Sequence, residues 1–79
     1  MNEHGVVTKV ECQRRVVPGK GDVYQIVVWK EKDFYTGINI IRYKTISEIE
    51  EYLGYMPETV EDMEHLIKEE WNSGHKMEI

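Results

Sequence analysis

The sequence predicts an α+β fold: a three-stranded antiparallel β-meander followed by two short C-terminal α-helices packed on one face of the sheet. Two observations predict it. Apolar residues follow a strand-like period of two up to residue 44 and a helical period beyond it. Turn-forming residues break the first half into three runs short enough to be neighbouring strands. The whole chain, residues 1–79, reads as one small domain, because 79 residues cannot build two cores.

The first strand is expected over 6–17 (VVTKVECQRRVV). Val6, Thr8, Val10, Cys12 and Val16 share one face, and Lys9, Glu11, Gln13 and Arg15 share the other. The segment PGKGD at 18–22 is a turn, with Pro18 fixing φ and Gly19 and Gly21 allowing positive φ. The second strand, 23–31 (VYQIVVWKE), is apolar on both faces, which suits the middle of a sheet. KDFYTG at 32–37 returns the chain to a third strand over 36–44. Centring that loop near Phe34 sets Trp29 opposite Asn39 and Val27 opposite Ile41.

The helices follow, at about 47–53 and 58–72. Ile46, Ile49, Tyr52 and Leu53 recur at helical spacing, and Gly54 ends the first helix. Two capping boxes compete for its start, Ser47 with Glu50 and Thr45 with Glu48. Pro57 is placed to open the second helix, whose apolar stripe is Val60, Met63, Leu66, Ile67 and Trp71. Residues 72–74 stop it, and the tail HKMEI is expected to fray or to add a short strand.

Composition excludes several classes. Cys12 is the single cysteine, so a disulfide scaffold is impossible within the chain. The first residues, MNEHGVVTKVE, lack a basic region followed by an apolar run, so no secretory leader is expected. No apolar stretch is long enough to cross a bilayer, and a cytoplasmic location is expected. His4, Cys12, His65 and His75 share no metal-ligand spacing, so no metal or other cofactor is expected. Gly19–Gly21 lacks the spacing of a phosphate loop, and no nucleophile signature is present. No constellation of named catalytic roles emerges, so the chain is not expected to be an enzyme.

Charge is divided along the chain. Residues 1–44 hold eight Lys/Arg against five Asp/Glu, and residues 45–79 hold two against ten. The helices therefore present an acidic surface that includes Glu51, Glu58, Glu61, Asp62, Glu64 and Glu69. Such a surface is either a solvated face or a docking site for a basic partner.

Two short helices cover one face of a three-stranded sheet. If they cover Val10, Tyr24, Ile26, Val28, Ile38 and Ile40, the opposite face carries Lys9, Arg15, Val27, Trp29, Ile41 and Tyr43. That is an apolar and aromatic patch with a basic rim. Either the tail or the loop holding Phe34 and Tyr35 covers it, or it binds something. Pairing of two such faces would give a homodimer. Edge pairing through 6–17 or 38–44 is the competing route.

The run YQIVVWKEKDFYTG at 24–37, followed by a strand and TISEIEEYLG, resembles the strand-and-helix layout of the arm-binding domains of phage-type integrases. The resemblance spans about half the chain. Those domains have a strongly basic third strand, whereas this one reads INIIRYK, with Ile38, Ile40 and Ile41 in place of basic residues. It therefore implies shared architecture and no activity. The expectation is a non-catalytic protein-binding module, a small inhibitor or regulator of a larger machine that handles nucleic acid. Its partner would be another protein, with a basic surface. The alternative is a nucleic-acid-binding module using the basic rim of the sheet face, which the net charge of −5 disfavours.

Overall fold

The computed structural model describes residues 6–31 and 37–77. Strand β1 spans Val6–Val17, β2 Gly21–Glu31 and β3 Gly37–Lys44; helix α1 spans Ile46–Leu53 and α2 Val60–Asn72. The strands lie in the order β1-β2-β3 with both pairs antiparallel, which is the expected βββαα arrangement. The expected loop around Phe34 and Tyr35, the start of the third strand at residue 36 and the side chain of Ile38 lie outside the described residues.

The first hairpin closes through a hydrogen bond from Lys20 N–H to Val17 C=O at 2.9 Å. Pro18 takes the second turn position and Gly19, with φ of 90°, the third; positive φ there is the type II requirement that glycine meets. The register of β2 with β3 sets Trp29 opposite Asn39 and Val27 opposite Ile41, as the sequence predicts.

The parity of β1 departs from expectation. Val7 pairs with Lys30 and Lys9 with Trp29, leaving Thr8 as an extra residue in a bulge. Its hydroxyl lies 3.3 Å from the Trp29 carbonyl. The bulge reverses the alternation, so Val7 enters the core beside Val10 and Cys12 while Val6 stays 50% exposed. Val16, expected on the same face, is exposed too. Arg14, two residues before it, covers Tyr24 instead, with its guanidinium 6.0 Å from the ring centre.

The core lies between the sheet and the helices. Val7, Val10, Cys12, Tyr24, Ile26 and Val28 meet Ile49 of α1 and Met63, Ile67 and Trp71 of α2. Burial of each large aliphatic side chain there contributes about 1.5–3 kcal/mol. Ile40 and Leu53 pack against this cluster partly buried. Leu66 is only half-buried and Val60 is exposed, so the second helix turns a narrower stripe inward than its sequence suggests.

Both helix starts follow their caps. Thr45 is the N-cap of α1: its hydroxyl accepts the Glu48 N–H at 3.2 Å, and the Glu48 carboxylate accepts the Thr45 N–H at 2.9 Å. This box prevails over Ser47, and the helix begins at Ile46. Gly54, with φ of 89°, ends it by donating to Glu50 C=O. Pro57 does not open α2. It is buried in the connection, and Thr59 caps the helix by accepting the Asp62 N–H at 3.0 Å.

The tail also differs from expectation. Residues 75–77 form no strand, and Met77 is buried in the helix-side core. Tyr52 O–H donates to the His75 carbonyl, and His75 Nδ1 lies 2.8 Å from Glu70 Oε1. The described tail therefore seals the core and leaves the opposite sheet face untouched.

Candidate protein-binding surface

Alternation along β2 sends Val23, Gln25, Val27 and Trp29 to the face away from the helices. The pairing register places Lys9, Glu11, Gln13 and Arg15 of β1 on one side of them, and Asn39, Ile41 and Tyr43 of β3 on the other. All six expected binding residues, Lys9, Arg15, Val27, Trp29, Ile41 and Tyr43, thus share one face.

They differ in what they offer to a partner. Ile41 is 46% exposed and Tyr43 44%, and Trp29 is half-buried. Val27, between Glu11 and Ile41, is only 8% exposed and forms floor rather than reachable surface. Val23 is buried likewise, opposite Arg15. These two valines lie outside the helix-side cluster. The central strand is thus closed off at Val23 and Val27 on its open face, and the exposed apolar surface of that face is concentrated on β3.

The basic rim is largely engaged. Lys9 Nζ sits 5.1 Å from the Trp29 ring centre and 3.2 Å from Glu11 Oε2. Arg15 Nη2 donates to Gln13 Oε1 at 3.3 Å. Arg14, which lies on the helix side beside Tyr24, is bound to Asp22 at 2.8 Å. A phosphate backbone on this face would have to compete with Glu11 for Lys9.

The expected acidic residues divide into two groups. Glu51, Glu58, Glu61 and Asp62 are exposed, and among the described residues no ion pair engages Glu58, Glu61 or Asp62. Glu58 and Asp62 line a shallow groove of about 470 Å³ with Tyr55, Met56, Pro57 and Leu66. Glu69 instead pairs with His65 at 3.0 Å. Glu64 turns inward, and its Oε2 accepts the Cys12 N–H at 2.8 Å.

Glu64 and Asn72 together carry a role that sequence reasoning missed. Asn72 Oδ1 accepts the Val7 N–H at 2.9 Å, and its Nδ2 donates to the Val7 C=O at 3.2 Å. Two side chains of α2 thus occupy outward backbone groups of the edge strand β1, as a neighbouring strand would. No sequence signal marks them, because an Asn and a Glu on a helix's polar side look like ordinary solvated residues.

Cys12 is a buried free thiol. Burial, and secondarily the Glu64 charge, push its thiol up to about 12. Burial and then the Glu70 charge push the Tyr52 phenol up to about 12 as well. Among the described residues no group of three or more His, Cys, Asp or Glu could hold a metal, and no helix is long and apolar enough to cross a membrane. The chain matches no protein-family model, no curated protein and no solved structure.

Proposed function

We propose that the protein is a non-catalytic protein-binding module acting inside the cell, a small regulator or inhibitor of a larger machine. The observation that carries this reading is the exposure of Ile41 and Tyr43 beside Trp29, on a sheet face that no described helix or tail residue covers. The helices add carboxylates at Glu58, Glu61 and Asp62 that no ion pair engages among the described residues, and these suit a partner with a basic surface. Protein is favoured over nucleic acid because the net charge is −5 and Lys9, one of the two cations among the expected binding residues, is paired with Glu11.

The test is capture from the native lysate by wild type and by a Trp29→Ala, Tyr43→Ala variant, each with and without nuclease. A protein retained by wild type after nuclease and lost by the variant supports the reading. Binding to random duplex DNA at about physiological salt, with Kd in the 10⁻⁴–10⁻⁶ M range of non-specific binders, would replace it with a nucleic-acid function.

A further inference from the structure

The two edges of the sheet are not equivalent. In an antiparallel ladder each residue turns both backbone groups to one side, and the side alternates along the strand. On β1 the outward groups of Val7 and Cys12 are held by Asn72 and Glu64 of α2. The same alternation, carried across the sheet by the pairs Cys12–Ile26, Glu11–Val27 and Val27–Ile41, turns the backbone groups of Asn39, Ile41 and Tyr43 outward from β3. Among the described residues the sole group bound to them is the Arg42 guanidinium, whose Nη1 donates to the Ile41 carbonyl at 3.0 Å. Arg42 Nε is meanwhile buried without a partner, so this arrangement leaves a donor unmet.

We infer that β3 pairs antiparallel with β3 of a second copy about a two-fold axis at Ile41, joining two domains into one six-stranded sheet. Three features select a second copy. The two-fold axis makes Ile41 exchange both backbone bonds with Ile41 of the other copy, and Asn39 with its Tyr43. Residues opposite each other then share a face, so the apolar row Val27–Ile41 continues into Ile41–Val27 of the second copy, and the exposed Ile41 gains a cross-strand partner. No like charges fall directly opposite each other in this register, since Arg42 faces Ile40 and Lys44 faces residue 38. Swinging away from Ile41, Arg42 releases the carbonyl to the ladder and its own Nε to water. Because α2 occupies β1, the assembly stops at two copies instead of growing edge to edge.

This inference names the second copy as one partner of the protein-binding reading, and it fails separately from it. Sedimentation across a concentration series is the measurement, made on wild type, Ile41→Pro and Trp29→Ala. Proline at 41 removes an outward N–H that β2 does not use, so an edge strand tolerates it. It deletes both central intermolecular bonds, and an approximately thirtyfold weaker dimer is expected from two ordinary hydrogen bonds. Trp29→Ala should leave the dimer intact. A monomeric wild type at several hundred micromolar overturns the inference, whether or not another protein is still captured. So does a dimer broken by Trp29→Ala and unaffected by Ile41→Pro, which would mean face-to-face packing. If the proline variant does not fold, wild-type amide exchange decides: the Ile41 and Tyr43 amides must gain protection as concentration rises, while Val7 and Cys12 stay constant.

Discussion

Asn72→Ala should destabilise the domain by about 2 kcal/mol. Asn72 sits at the last position of α2 and holds both the N–H and the C=O of Val7, 65 residues away in sequence. Alanine removes both bonds while preserving the helix. A net loss of about 1 kcal/mol per bond gives the total, since the site is only partly buried and water can replace some of the contact. For a domain of this size that corresponds to a melting point lower by about 10 °C. Asn72→Asp separates the two bonds: it keeps an acceptor for the Val7 N–H but puts a carboxylate against the Val7 carbonyl. It should therefore cost at least half as much as the alanine change. Thermal unfolding gives the total, and amide exchange locates it, because the Val7 amide should lose protection while Ile26 retains it. An alanine variant within 0.5 kcal/mol of wild type, or an unchanged Val7 amide, would refute the idea that α2 substitutes for a neighbouring strand.

Three further outcomes are expected. Trp71→Ala should cost about 3–5 kcal/mol in chemical unfolding, as a large buried ring in the core; Trp71→Phe should cost distinctly less, because the Trp71 Nε1 donor is buried without a partner. At pH 8 native Cys12 should react with iodoacetamide roughly a thousandfold more slowly than in the unfolded chain, since a thiol raised from 9.0 to about 12 has that much less thiolate. The Glu48 carboxyl is held below its ordinary value, first by the Thr45 backbone N–H, so its charge favours the folded state above about 4.5. The stability advantage of wild type over Glu48→Gln should therefore be present at neutral pH and disappear as pH falls through that lowered value; an advantage independent of pH would contradict it.

The fold was legible where one physical requirement dominated. β2 is apolar on both faces, so it had to be central, and the spacing of its hairpin with β3 then brought Trp29, Ile41 and Tyr43 to one face. The bulge at Thr8 was not legible. Val6, Val7 and Thr8 are all good strand residues, and only the pairing with Lys30 and Trp29 decides which of them is the extra one. The start of α1 was a contest between two capping boxes, and local pattern alone does not choose between them; the Thr45–Glu48 box is the one that forms. Met77 gave no periodic signal, being the single apolar residue among the tail positions described. At the surface, sequence identifies an acidic helix but cannot tell Glu64, folded onto the Cys12 amide, from Glu61, left in water. It likewise placed Val27 on the face away from the helices without revealing that it is buried there.

The two tryptophans sit on opposite sides of the sheet, and this makes the domain its own optical probe. Trp71 is 5% exposed among aliphatic neighbours, so its emission should be blue-shifted and insensitive to dissolved quenchers. Trp29 is half-buried on the open face with the Lys9 ammonium above its ring, a position that water and dissolved quenchers reach. Iodide should therefore quench one component and spare the other. Loss of the blue component follows unfolding of the core, while shielding of the red component follows occupation of the open face, and both are read from a single unlabelled sample.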